Sequence, residues 1–172
     1  VAKANLLIKD STDHYDRFEA DKLLKKVELF IDDLSNWYIR RNRRRFWKSE
    51  NDSDKFVAYQ TLYDVLLLLI KLLSPILPFI TERMYLNISK DDSKENHDSV
   101  HLSSYPEYED DKIDMDLIKK VETLKKIIES GRAARKKANI KVRQPLSDLK
   151  IYENDSSITS FILDQQQIIL DE

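Results

Sequence analysis

Cysteine is absent from this 172-residue chain, which excludes a disulfide framework and any thiolate metal site. Glycine occurs once, at Gly131, and proline four times. So little glycine argues against a hairpin-rich β fold, whose tight turns need positive φ. Histidine is limited to His14, His97 and His101, none at ligand spacing, so no metal site is expected. The apolar run Val65–Ile70 is six residues long and ends at Lys71, far short of a membrane span. No charged segment followed by an apolar core opens the chain, so no signal peptide is expected. The chain begins at Val1 without methionine, as expected of a stretch from the middle of a longer polypeptide. There is no glycine-rich phosphate loop, no Ser/His/Asp set and no evident nucleophile, so the stretch by itself is not expected to be an enzyme. The lack of cysteine fits a reducing compartment, and a cytoplasmic location is expected.

Hydrophobic residues make up 41% of the chain and charged residues 35%, a balance suited to a helical domain with a real core. Net charge is −2, so bulk charge selects no partner, and distribution matters more. Arg40–Lys48 carries six positive charges and no acid, and Arg132–Arg143 carries six more. Acids gather at Glu107–Asp116, read here as a solvated loop.

Helical periodicity dominates the chain. Val1–Tyr15 reads as the tail of a helix or a poorly formed one. Asp16, with Glu19 three residues on, reads as the N-cap of a helix running to about Arg44. Its expected seam is Ala20, Leu24, Val27, Ile31, Leu34 and Tyr38, and the next positions in that stepping are Arg41 and Arg45. After a polar break at Glu50–Asp54, a third helix is expected, with Phe56, Tyr59, Tyr63, Leu66, Ile70 and Leu73 on one face. Pro75 and Pro78 end it, and a short helix to about Ile88 follows. Ser89–Lys112 reads as a long loop with Val100, Leu102 and Tyr105 to dock it. Asp114 or Asp116 caps a further helix with the seam Leu117, Val121, Leu124, Ile128, Gly131 and Arg135. Leu149–Tyr152 is expected to be a short strand and Ser156–Leu170 an amphipathic helix. The expected class is therefore mainly α, a helical bundle with a small truncated β-α piece at the C-terminus.

Two basic helix ends are the candidate site. A run of exposed arginines often only faces water or complements a helix C-terminus. Here tryptophan is interleaved with arginine, and Asn36, Arg40, Arg43 and Trp47 share a face at helical spacing. An amide, guanidiniums and an indole suit phosphate contact with base stacking. Trp37 and Tyr38 lie near the apolar stripe and are expected in the core, whereas Trp47 is expected to be exposed. Gly131 is read as permitting close helix packing, with close approach of an RNA backbone as the alternative. Lys141-Val142-Arg143-Gln144 is a short basic stretch on extended chain.

At Phe30–Trp47 (FIDDLSNWYIRRNRRRFW) the chain closely resembles the anticodon-binding domain of isoleucyl-tRNA synthetases, class I enzymes. The resemblance continues through AYQTLYDVL (Ala58–Leu66), LSPILPFITE (Leu73–Glu82), SVHLSSYP (Ser99–Pro106), GRAAR (Gly131–Arg135) and IKVRQPL (Ile140–Leu146). It implies a helical bundle at 1–140 that engages the tRNA stem and anticodon arm, followed at 141–172 by the start of a small α/β region. The implied partners are isoleucine tRNA and the catalytic domain of the same polypeptide, with no membrane and a monomeric fragment. The implied parent attaches isoleucine to tRNA using ATP with magnesium, while no cofactor is expected in this stretch. The residues implied in tRNA binding or domain docking are Asn36, Arg40, Arg41, Arg43, Arg44, Arg45, Trp47, Arg132, Arg135, Lys136, Lys141 and Arg143. The competing reading is a helical protein-interaction module whose basic ends dock a catalytic domain without touching RNA.

Overall fold

A computed structural model of the chain describes residues 1–47, 52–89, 98–141 and 144–171. Among these the regular elements are helical: α1 (Ala2–Asp16), α2 (Ala20–Asp33), α3 (Arg43–Trp47), α4 (Asp52–Leu73), α5 (Pro78–Ile88), α6 (Met115–Lys137), α7 (Ser156–Asp164) and α8 (Gln166–Leu170). A π-helical segment, Leu34–Ile39, joins α2 toward α3, and 3₁₀ turns form at Val100–Leu102 and Asp110–Lys112. The chain divides into two compact units, Val1–Ile113 and Asp114–Glu172. Within the second unit α6 packs on α7.

The first unit is built on α1, α2 and α4. Leu7 and Ile8 of α1, Leu23 and Val27 of α2, and Leu69 and Leu72 of α4 form one buried cluster. Leu23 and Leu72 are 0% exposed, so each contributes about 1.5–3 kcal/mol through burial. The expected α2 seam is corrected by one position. Leu24 and Ile31 are exposed at 37% and 43%, while Leu23 is inside and Phe30 packs on the cluster. Positions 23, 27, 30 and 34 lie on the alternative 3.6-period stripe, and their side chains join those of α1 and α4 in one cluster. The opening segment is likewise a full helix and no frayed tail, since Ala4, Leu7 and Ile8 are all buried.

Asp16 ends α1 and does not cap α2; Glu19 is the N-cap of α2. The Glu19 carboxylate accepts from Lys22 Nζ at 2.5 Å and faces His14 Nδ1 at 3.1 Å. These two contacts hold it below the usual carboxylate range. The turn between the helices places Phe18 at φ 57, the left-handed region that an L-aromatic residue rarely adopts.

On its other side α4 meets α5 and the loop that follows. Ile70, Tyr85 and Val100 form a second cluster. Leu102, expected to dock beside Val100, is 66% exposed, since the 3₁₀ turn can bury only one side of so short an element. Glu82 fixes this turn by accepting from Ser99 Oγ at 3.0 Å and Val100 N–H at 2.9 Å. Farther on, the acidic loop is tied to α1: Lys9 pairs with Asp110 at 2.8 Å, and Glu109 N–H donates to Asn5 Oδ1 at 2.9 Å. By length and composition Ser53–Leu73 of α4 is apolar enough to cross a membrane. A helix with cores on two sides has the same composition. The expected seam residues Phe56 and Tyr59 are exposed at 67% and 47%.

In the second unit Asp114 caps α6, accepting from Leu117 N–H at 2.8 Å. Leu124 and Ile128 of α6 and Ile158 and Ile162 of α7 are buried. The strand expected at Leu149–Tyr152 does not form, and no strand occurs among the described residues. A strand needs a partner ladder, and 149–152 is exposed chain leading to Asp155, the N-cap of α7. The helix expected over 156–170 is interrupted at Gln165.

Phe18 is 96% exposed, so its ring contributes no packing to offset its backbone strain. Phe18→Gly is therefore expected to raise stability by about 0.5–1 kcal/mol in urea denaturation.

Candidate nucleic-acid interface

The arginine-rich helix end is shaped by a change of helical register. The Arg40 amide bonds to Ser35 O, the i−5 spacing of a π turn, which takes in one more residue than an α turn. Beyond it, Asn42 N–H bonds to Tyr38 O and Phe46 N–H to Asn42 O. The inward stripe thus runs Leu34, Tyr38, Asn42, Phe46, stepping by four, in place of the α-helical stepping to Arg41 and Arg45. Phe46 is 4% exposed, with its ring edge-on to Tyr59 at 5.1 Å and to Tyr38 at 6.4 Å. No arginine takes over the core position.

Each candidate residue now has a place. Arg45 is half-buried and grips Asp54 of α4, with Nε at 2.9 Å from Oδ2 and Nη2 at 2.6 Å from Oδ1. Its Nη1 also donates to Asn42 Oδ1 at 3.0 Å, and Asn42 Nδ2 donates to Tyr38 O at 2.8 Å. This two-pronged pairing holds the Asp54 carboxyl below its usual range and raises Arg45. Arg45 therefore anchors α3 to α4. Arg41 lies over Trp37, 4.9 Å from the ring centroid, and both are half-buried. Trp37 is outside the buried clusters, with its face given to a guanidinium, whereas Tyr38 reaches Ala58 O at 3.4 Å. Arg40 Nε donates to Asn36 O at 2.9 Å, and Asn36 Nδ2 donates to Asp32 Oδ1 at 2.5 Å.

Arg43, Arg44 and Trp47 face outward. Trp47 is 66% exposed and Arg43 lies 5.3 Å from its ring centroid, a cation–π pair at the surface. Among the described residues no carboxylate forms an ion pair with Arg43 or Arg44. Asn42, Phe46 and Asp54 are the residues that the sequence reading missed. Phe46 is visible in hindsight by stepping in fours from Leu34; nothing in local spacing marks Asp54.

In the second unit Arg135 also serves its own backbone. Its Nη1 donates to Gln144 O at 2.7 Å and Lys141 O at 3.3 Å. The helix end is a Schellman cap: Asn139 at φ 55 bonds to Lys136 O, and Ile140 N–H bonds to Arg135 O. Lys136 and Lys141 are exposed and Arg132 is half-buried, while Arg143 lies outside the described residues. Gly131 is not at a close helix crossing, because a Cβ there meets nothing within 4 Å. Among the described residues no three His, Cys, Asp or Glu side chains gather as a metal site.

A sequence model of the family described as "Anticodon-binding domain of tRNA ligase" matches residues 1–152. "Isoleucine--tRNA ligase" of Clostridium tetani (strain Massachusetts / E88) is 43% identical over 151 residues, 88% of this chain and 15% of that protein. The protein of the same name from Clostridium novyi (strain NT) is 42% identical over 151 residues, 88% of this chain and 14% of its own. That of Dehalococcoides mccartyi (strain CBDB1) is 37% identical over 172 residues, 100% of this chain and 17% of its own. The chain thus spans 14–17% of the length of these curated relatives.

Two stability outcomes follow from this geometry. The depressed Asp54 pKa stabilises the fold above the ordinary aspartate value, and that contribution is lost as pH falls through the folded value. Asp54→Asn is expected to melt earlier than the parent at neutral pH, with the gap closing in acid. Gly131→Ala is expected to stabilise α6 by up to about 1 kcal/mol, measured by urea denaturation.

Proposed function

The chain belongs to the anticodon-binding domain family of tRNA ligases, and from that premise we propose that it is the tRNA-engaging part of an isoleucine–tRNA ligase. In this reading the complete protein joins isoleucine to its tRNA, with ATP and magnesium acting in a catalytic domain elsewhere in the polypeptide. This stretch performs no bond-making step. It holds the anticodon arm and docks the catalytic domain, acting as a monomeric fragment in the cytoplasm, away from membranes. The isoleucine assignment is supported by the names of the relatives, each matched over most or all of this chain.

The observation that carries RNA contact is the outward group Arg43, Arg44 and Trp47. Two guanidiniums without a carboxylate partner among the described residues suit adjacent phosphates, where Arg gives forked hydrogen bonds. An indole 66% exposed offers a face to a base or a sugar. Arg45 is assigned instead to holding this group in place through Asp54. Arg40, Arg41 and Asn36 flank it, while Arg132, Lys136, Lys141 and Arg143 supply the basic end of the second unit.

One observation also favours domain docking. Trp47, Phe56 and Val57 are exposed at 66%, 67% and 54%, and Val57 lies one helical turn on from Asp54. Apolar side chains of this size beside an ion pair suit a protein interface core. Co-purification of this chain with the catalytic domain, insensitive to added tRNA and lost in Phe56→Ser, is the expected sign of that contact.

The RNA reading is tested by affinity for isoleucine tRNA from low to moderate salt. Arg43→Ala with Arg44→Ala is expected to weaken binding and to make the log–log salt slope shallower by about 1.5. Parental affinity and slope in the double variant would remove these arginines from the interface.

A further inference from the structure

A second cationic feature lies in the first unit, at the other end of α4. The last turn of α4, the Ser74-Pro75 turn and the 3₁₀ loop after Ser99 enclose a cleft of about 220 Å³. Its polar lining is Lys71, Ser74, His101, Ser103, Ser104 and Tyr105, and among the described residues no carboxylate lines it. That volume is below the range of drug-sized ligand pockets and suits one compact polar group.

A lysine in a last helical turn ordinarily serves the free carbonyls and the negative end of the dipole. Here those carbonyls already have donors. Lys71 O accepts from Ser74 Oγ at 2.9 Å, Leu72 O from Tyr15 Oη at 3.0 Å, and Leu73 O from the Ile76 and Leu77 amides at 3.0 and 2.9 Å. The repulsion that a helix C-terminus offers an anion is weakened accordingly. Lys71 is half-buried, and no ion pair engages its ammonium among the described residues. Ser104 and the His101 ring are exposed and likewise make no side-chain hydrogen bond among the described residues. The hydroxyls of Ser74 and Ser103 donate to backbone carbonyls, so neither proton is free for an anion. An ammonium, a hydroxyl and an imidazole in a small cleft, beside a Glu82 carboxylate already taken up by Ser99 Oγ and the Val100 amide, are complementary to a tetrahedral oxyanion.

We propose that this cleft binds a single phosphate group, held by Lys71 and Ser104 with His101 at the rim. The site itself is independent of the RNA reading above, which it rests on only for one source of the phosphate, a nucleotide of bound tRNA. The other source is a free phosphate.

Inorganic phosphate titrated into the 172-residue chain at constant ionic strength, followed by amide NMR, tests the site directly. Saturable shifts confined to residues 71–74 and 100–105 are expected. Lys71→Gln should weaken that affinity about tenfold, Lys71→Arg should restore it, and Ser104→Ala should weaken it without touching the core. Absent or unsaturable shifts, or parental affinity in both Lys71→Gln and Ser104→Ala, overturn the proposal. The source follows from tRNA binding by Lys71→Gln. Lower affinity with a salt slope shallower by about 1 identifies an RNA phosphate. Unchanged tRNA affinity in that variant, with saturable phosphate shifts in the parent chain, identifies a free one. Failure of the phosphate titration leaves the Arg43 and Arg44 reading standing, because that reading has its own variant.

Discussion

The constraint on which the basic helix end depends is the burial of one aromatic ring, Phe46, four residues beyond Asn42 and eight beyond Tyr38. A regular α-helix advances about 100° per residue, so steps of four drift around the axis. The π turn at Leu34–Ile39 absorbs part of that drift and keeps Leu34, Tyr38 and Phe46 facing inward. Once Phe46 is seated against Tyr59, the neighbouring residues have no freedom of face. Arg45 falls toward Asp54, while Arg43, Arg44 and Trp47 are turned to solvent. The π turn, a feature frequent at functional sites, therefore decides which guanidiniums are offered outward.

Much of this was legible in the residues. Few glycines and strong helical periodicity led to a mainly helical bundle, and the proline-marked ends of α4 and α5 appear as expected. The Asp114 cap was readable because an N-cap is a local device that tertiary packing seldom overrides. What was not legible needed partners distant in sequence. The choice between Leu24 and Leu23 depends on where α1 and α4 lie, and both stripes satisfy a 3.6 period. The α-helical extrapolation that put Arg41 and Arg45 on the core seam failed because no pattern announces a π turn. Leu149–Tyr152 has strand-like residues, but pairing is a property of two segments.

The residues show where guanidiniums concentrate and not what each one does. Charge runs say nothing about which are already engaged. The Asp54 carboxylate, nine residues after Arg45, converts one of them from a ligand group to a tie between helices. Trp37 shows the same limit from the other side. Its place near the apolar stripe suggested the core, and in the fold its ring face is taken by Arg41.

The two basic segments solve one problem in parallel ways. A run of like charges opposes its own compaction, and exposed arginines alone cannot hold a helix end in a defined pose. In each segment one arginine is turned back on the protein. Arg45 clasps Asp54, and Arg135 bridges the carbonyls of Lys141 and Gln144. Each clasp fixes the backbone that carries the remaining cations, so less side-chain and loop freedom is left to lose when an anion arrives. Arg43 and Arg44 on one segment, and Lys136 and Lys141 on the other, are thereby presented from ordered backbone. Replacing a clasping arginine should loosen the presentation of its neighbours, an effect distinct from removing a contact with RNA. Loss of binding on mutating Arg45 or Arg135 is for that reason not evidence that either residue touches the ligand.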